Sequence, residues 1–241
     1  MNISVMRFDP SIDTVPAFKD YEVPTKEYMT LLEALIYINE NHEPLAFDYS
    51  CGGRTCGRCA MMLDGVPVAA CIKVLSDTNH TVEPLKGYPV VRDLVVDKTR
   101  FYDRVSAFAA RELAHTLTWE EVSEPVDLKV YENLSALERC ARCGCCNVVC
   151  RGINEKTPDE YVGPAPMVAL AMRFYDPYDD GDRVLQAVSA GLWNCIECGN
   201  CTSVCPAGEI DHLSYWADLR AAAKKRGLAA EMGSALSWGK K

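Results

Sequence analysis

Two cysteine runs limit what the second half of this chain can fold into. The first is Cys140-Ala141-Arg142-Cys143-Gly144-Cys145-Cys146-Asn147-Val148-Val149-Cys150. The second is Cys195-Ile196-Glu197-Cys198-Gly199-Asn200-Cys201-Thr202-Ser203-Val204-Cys205-Pro206. Each contains C-x2-C-x2-C-x3-C, and the second closes on the proline of the bacterial two-cluster run. In that run three thiolates hold one cluster and the fourth ligates the other. The pattern therefore predicts two cubane-type clusters, each borrowing its last ligand from the opposite run, and points to electron transfer. The competing reading is structural zinc, because C-x2-C pairs also build tetrahedral zinc sites. Ferredoxin spacing, the absence of histidine from both runs and the terminal Cys-Pro favour clusters.

The first half reads differently. Residues 2–8 and 17–23 have strand character, with Asp9-Pro10 in the turn region between them. Thr30-Leu31-Leu32-Glu33 is a capping box, and Leu31, Leu35 and Ile38 give the helix that follows an apolar face up to residues 39–42. Two strands and a helix are how a β-grasp ferredoxin domain begins.

A third cysteine motif comes next. Cys51-x4-Cys56-x2-Cys59, with Cys71 after it, is the plant-type spacing of a 2Fe–2S cluster. Gly52, Gly53 and Gly57 lie between these cysteines, as suits a loop that must bring its amides close to anionic sulfur. Residues 60–63 and 66–70, joined by Asp64-Gly65, predict a hairpin with a type I′ turn that returns Cys71 to the loop. Zinc is again the alternative here.

Residues 81–85 read as the last strand of this half, and 93–97 lead out of it. From Thr99, helical spacing of Phe101, Val105, Phe108 and Leu113 runs to about Leu117. The fold class expected is α+β: a β-grasp plant-type 2Fe–2S ferredoxin domain over residues 1–97, then an all-α bacterial-type dicluster domain over 98–241. Helices are expected over 135–140, 164–175, 182–192 and 211–226, with Asp211 as an N-cap and Gly227 as a stop. The aspartate-rich stretch 175–182 reads as a solvated loop, and 229–241, including Trp238, as a weakly ordered terminus.

Composition narrows the setting. Thirteen cysteines bunched at metal-ligand spacings, with no signal-peptide pattern in the first twenty residues, fit a reducing, cytoplasm-facing location rather than a disulfide framework. No apolar stretch approaches the roughly eighteen residues of a membrane span; the longest candidate is 164–171. A net charge of -9 argues against nucleic acid as a partner. His42, His80, His115 and His212 are scattered and read as surface or internally satisfied side chains. No catalytic base, nucleophile or dinucleotide motif stands out, so no substrate site is expected on this chain.

A plant-type motif followed by two bacterial-type runs resembles the iron–sulfur subunit of succinate dehydrogenase and fumarate reductase. The likeness covers nearly the whole chain and includes residues 88–97, Tyr88-Pro89-Val90-Val91-Arg92-Asp93-Leu94-Val95-Val96-Asp97, and Gly163-Pro164-Ala165. It implies an electron-transfer subunit that relays single electrons between an FAD flavoprotein, which interconverts succinate and fumarate, and a quinone-reactive membrane anchor. The location implied is peripheral, on the cytoplasmic side of the cell membrane. Residue by residue, Cys51, Cys56, Cys59 and Cys71 would hold the 2Fe–2S cluster, and Cys140, Cys143, Cys146 and Cys205 the middle 4Fe–4S cluster. Cys150, Cys195 and Cys201 would hold the distal one.

Two departures from the family matter. The distal cluster is 3Fe–4S in much of it, where the middle position of the second run is not cysteine. Here Cys198 offers a fourth thiolate, so a 4Fe–4S distal cluster is expected, leaving Cys145 alone as a buried, non-ligating thiol. In addition, Arg151-Gly152-Ile153-Asn154 and Ile196 replace the proline, tryptophan and histidine of quinone-reactive members. Together these imply a lower terminal potential, a menaquinone-type or non-classical anchor and the fumarate-reducing direction. Three alternatives stand beside this: the same relay serving a flavoprotein reductase of another unsaturated acid, a zinc-stabilised interaction module, and a free-standing soluble ferredoxin.

Overall fold

The computed structural model describes residues 1–155 and 160–228; the expectation for the terminus and Trp238 lies outside the described residues. The chain forms two compact units that are discontinuous in sequence. One comprises Met1–Tyr102, Ala141–Val149 and Val204–Ala207; the other comprises Asp103–Cys140, Cys150–Ser203 and the C-terminal segment from Gly208. Both cysteine runs are divided between the units.

The first unit is a mixed sheet wrapped on one helix. Strands β1 (Asn2–Arg7), β2 (Ala17–Glu22), β3 (Ala60–Leu63), β4 (Val66–Ala69) and β5 (His80–Glu83) stand in the order β2-β1-β5-β3-β4. β1 runs antiparallel to β2 and parallel to β5, which brings the first and last strands of the sheet side by side at its centre. Helix α1 (Leu31–Asn41) starts on the predicted box: Thr30 accepts from the Glu33 amide, and the Glu33 carboxylate takes the Thr30 N–H at 2.8 Å. Its buried Leu31, Ala34, Leu35 and Ile38 pack with Ile3, Val5 and Val82. Each of the larger aliphatic side chains contributes about 1.5–3 kcal/mol. Asp64 and Gly65 at the β3–β4 turn both have positive φ, 51° and 79°, as a type I′ turn requires. After β5 the expected exit instead closes a small ribbon, β6 (Val90–Arg92) with β7 (Val95–Val96), turning at Asp93 with φ 46°.

Helix α2 (Thr99–Ala109) ends well short of the expected Leu117. The short α3 (Trp119–Ser123), unforeseen in the sequence, opens on a Thr118–Glu121 capping box. α4 (Leu128–Glu138) begins well before the expected residue 135, at Asp127, whose carboxylate accepts from the Lys129 and Val130 amides. Short turns α5 (Cys145–Val148), α6 (Arg151–Glu155) and α9 (Asn200–Ser203) follow cysteines of the two runs. The longer α7 (Pro164–Tyr175), α8 (Arg183–Ser189) and α10 (His212–Lys225) lie at or close to the expected positions. α8 ends at Ala190 because Gly191 turns at φ 87° into a 3-10 turn, Leu192–Asn194.

The stretch 175–182 is not a solvated loop. The buried Asp176 carboxylate takes Arg111 at 2.6 Å and Arg173 at 2.6 Å. Asp179 takes Arg183 at 2.7 Å, and Asp180 accepts from the Ala114 amide at 2.8 Å. These carboxylates bind the chain that leaves α2, a long-range role that local composition does not carry.

Candidate iron–sulfur sites

The loop between α1 and β3 carries Cys51 and Cys56, β3 begins directly after Cys59, and Cys71 follows β4. The Ala70 amide donates to the Cys59 carbonyl at 3.0 Å, so the hairpin brings the segments bearing these last two cysteines together. The loop alternates ordinary and left-handed residues, with φ of 62° at Gly52, 71° at Arg54 and 67° at Gly57. That alternation turns successive amides inward. Gly53 and Cys56 each donate to the Cys51 sulfur at 3.3 Å, and the Arg54 amide donates to the Cys71 sulfur at 3.4 Å. The Gly53 and Cys56 amides pull the exposed Cys51 thiol down to about 7, while burial pushes Cys59 up to about 11. Four thiols ringed by inward amides suit an anionic, thiolate-bound 2Fe–2S cluster.

The two ferredoxin runs share one backbone design. Arg142 and Gly144 have φ of 52° and 90°; Glu197 and Gly199, at the same places in the second run, have 56° and 75°. A C-x2-C turn of this kind again points amides at sulfur. In the first run Cys143, Cys145 and Cys146 are buried, and Cys145 has no exposed surface. Cys143 and Cys145 share a small core with Ala60, Met62 and Leu85, against which Tyr88, Val148 and Val204 pack. Cys145 is hydrogen-bonded to the Cys143 sulfur; that bond and burial push its thiol up, while Cys143 is pulled down to about 7. A neutral S–H donating to a neighbouring thiolate is what these directions describe. Cys205 follows Val204 in the same unit, and Cys140 is the last residue of the other unit before Ala141.

Cys150, Cys195, Cys198 and Cys201 line a single cavity with Tyr161 and Ile196. The structure thus places Cys198 beside the three cysteines implied for the distal cluster. Burial raises the thiols of Cys150 and Cys195, and it takes Cys201 to about 12, with Cys195 the next cause. Thiols that repel one another as anions need compensating positive charge, which iron supplies. Arg220 on α10 donates to the Cys195 carbonyl at 2.7 Å and the Leu192 carbonyl at 3.0 Å, and pairs with Glu197. One helical turn earlier stands Trp216, whose indole N–H is buried. Both it and the Tyr161 hydroxyl act to lower the Cys195 thiol. Among the described residues no three Cys, His, Asp or Glu side chains gather tightly enough to hold a single ion. A 4Fe–4S cluster, in which each thiolate binds a different iron, needs no such point.

Several residues of these sites escape a reading of motifs. Lys98 sits where the sequence reads as a domain exit, yet it is buried, and its ammonium donates to the carbonyls of Gly57 at 3.4 Å and Cys143 at 3.1 Å. Trp216 and Arg220 are spaced i, i+4 on one helix, a signal that could have placed them on one face. Arg54 points its guanidinium to the carbonyls of Pro206 at 3.3 Å and Ala207 at 3.0 Å. Two of the histidines serve structure. His80 binds Asp64 at 2.7 Å, and His212 is buried against Thr202 and Trp216, with burial taking it down to about 4.

A β-grasp domain with a cysteine loop, together with helices carrying two ferredoxin runs, defines an iron–sulfur electron-transfer chain. Residues 2–103 match the 2Fe-2S iron-sulfur cluster binding domain family, and residues 136–209 match the 4Fe-4S dicluster domain family. Over 218 residues the chain is 36% identical to the fumarate reductase iron-sulfur subunit of Escherichia coli O157:H7, spanning 86% of each protein. Over 207 residues it is 34% identical to a fumarate reductase (CoM/CoB) subunit of Methanothermobacter marburgensis, spanning 86% of this chain and 41% of that longer protein. A chain of the Mycobacterium smegmatis Sdh1 complex in its apo form superposes with a TM-score of 0.83 at 23% identity, over 95% of this chain and 97% of that one, a likeness of fold. The chain belongs to the iron–sulfur subunit family of fumarate reductase and succinate dehydrogenase. It carries 2Fe–2S and 4Fe–4S binding domains, which sets the zinc reading aside. Among the described residues no helix is long and apolar enough to cross a membrane.

Proposed function

We propose that this chain relays single electrons through three clusters between an FAD-containing flavoprotein and a membrane anchor, in the fumarate-reducing direction. Residues 1–97 form the 2Fe–2S domain and 98–241 the dicluster domain. Cys51, Cys56, Cys59 and Cys71 hold the 2Fe–2S cluster; Cys140, Cys143, Cys146 and Cys205 hold the middle 4Fe–4S cluster. Cys150, Cys195, Cys198 and Cys201 hold a distal 4Fe–4S cluster. The observation that carries this reading is the cavity in which those last four cysteines meet. A bound cluster supplies reversible one-electron chemistry; the chain supplies thiolates, inward amides and a buried surround. A fourth iron, relative to a three-iron centre, lowers the terminal potential and suits a menaquinone-type donor over ubiquinone.

The chain attaches peripherally on the cytoplasmic side through its partners. Isolated with them, it should accompany a flavin-bearing polypeptide and couple oxidation of a menaquinol analogue to fumarate reduction. A complex without flavin, or with flavin but no fumarate turnover, would contradict the proposal. A second reading has an observation of its own. The relative named for CoM and CoB is matched along only 41% of its length, and this chain has Arg151 and Ile196 where quinone-reactive members differ. A partner acting on CoM and CoB in place of a quinone anchor would then feed the distal cluster, and the menaquinol assay separates the two.

A further inference from the structure

A buried lysine carries a cost unless something compensates its charge. Lys98 is 8% exposed, and its ammonium is held by two backbone carbonyls that belong to two different cysteine loops. Gly57 lies between Cys56 and Cys59, and Cys143 is itself a cysteine of the first ferredoxin run. The two loops are in direct contact at this point. A Cβ on Gly57 would overlap the Ala141 carbonyl oxygen and come within 2.9 Å of the Cys143 backbone. The cation therefore stands at the seam between the 2Fe–2S loop and the run assigned to the middle cluster. Burial lowers the Lys98 pKa, and the charges of Cys143, Cys145 and Asp48 oppose that lowering; Asp48 is itself engaged by Arg58 at 2.8 Å and 3.0 Å. A methionine or leucine would fill the same space without burying a charge, so packing alone does not account for the ammonium.

We infer that Lys98 is a positioning residue whose fixed positive charge, shared by the 2Fe–2S loop and the first ferredoxin run, raises the reduction potentials of both clusters together. The inference rests on the ligand assignment proposed above. Reduction adds a negative charge to each cluster, and a buried cation beside both favours that addition; net charge and hydrogen bonding at the cluster are established determinants of potential. Moving both centres together keeps the step between them small while setting their common level.

The test is an EPR-monitored redox titration of the intact complex with Lys98→Met, Lys98→Gln and Lys98→Arg, at one pH. Lys98→Met and Lys98→Gln should each shift the reduced-to-oxidised ratio of both centres at least tenfold toward oxidised, about 59 mV for one electron. Lys98→Arg should return both midpoints most of the way to the wild-type values. Glutamine keeps hydrogen-bond donors without charge, so a Lys98→Gln complex with wild-type midpoints would overturn the inference. So would a loss of cluster content in Lys98→Met with unchanged midpoints in the loaded fraction, because that is what a structural clamp alone would give. If the wild-type complex showed no 2Fe–2S or 4Fe–4S signal, the ligand assignment itself would fail, a different result from unshifted midpoints.

Discussion

The guanidinium of Arg54, set within the 2Fe–2S loop, donates to the carbonyl of Ala207 at 3.0 Å across more than half the chain. With the neighbouring Pro206 contact at 3.3 Å, it fastens the segment that follows Cys205 to the N-terminal unit. The plant-type loop and the end of the second ferredoxin run are thereby part of one compact unit, although the sequence presents them as separate motifs.

Arg54→Met should release that segment. The half-buried, charge-assisted bonds are worth about 1–2 kcal/mol after allowing for exposure. Hydrogen exchange in the intact complex should accelerate at the amides of Val204, Cys205 and Ala207 and leave those of β1 unchanged. Unchanged protection at these three amides would mean that the segment is held without the Arg54 bonds.

Gly57 and Gly52 make a matched pair, since both are left-handed, with φ of 67° and 62°. Gly52→Ala meets nothing within 4 Å and should cost only the dihedral strain, about 1–2 kcal/mol. Gly57→Ala adds a collision with the Ala141 carbonyl and the Cys143 backbone, and should cost about 3 kcal/mol or more, with loss of 2Fe–2S content. Thermal denaturation and iron analysis of the two variants check the difference. Equal losses would show that conformation, and not the close approach, makes glycine necessary at 57.

His212 gives the fold a pH dependence. Burial lowers its folded-state pKa from 6.5 to about 4, so the unfolded chain binds the extra proton between those values. Stability from this group is therefore complete above about pH 6.5, falls as pH drops toward 4 and is flat below, amounting to about 3 kcal/mol. Denaturant titrations from pH 7.5 to 4.5 should show the decline, and His212→Gln should flatten it. A slope unchanged by the substitution would assign the acid sensitivity to other groups.

Trp216→Phe removes the buried N–H near Cys195 while keeping an aromatic ring. Hydrogen bonds to cluster sulfurs raise potentials. The distal midpoint should fall by an equilibrium factor of about threefold, about 30 mV for one electron. An unshifted distal midpoint would mean that the indole N–H does not reach the sulfur.

What the sequence made legible was local. The Thr30–Glu33 box, the Asp64-Gly65 turn and the Pro164 and Asp211 helix starts are set by groups within four residues of one another, and each stands where its signal lies. The spacing of the second run likewise led to the cavity in which Cys198 joins Cys150, Cys195 and Cys201. Longer-range features were out of reach. Nothing near Asp176 or Asp179 announces that Arg111 and Arg183 will claim them, so the stretch read as solvated. Lys98 looked like an exit residue because its partners, Gly57 and Cys143, lie more than forty positions away in either direction. The start of α4 at Asp127 is likewise a local signal, an N-cap carboxylate two and three residues from the amides it accepts.

The most direct test of the three-cluster relay is EPR of the complex isolated anaerobically, mildly oxidised and then reduced, alongside Cys198→Ser and Cys145→Ser. Wild-type protein should show no three-iron signal, Cys198→Ser should show one, and Cys145→Ser should keep three intact clusters. A strong three-iron signal in strictly anaerobic wild-type protein, unchanged by Cys198→Ser, would contradict the assignment of Cys198 to a four-iron distal cluster.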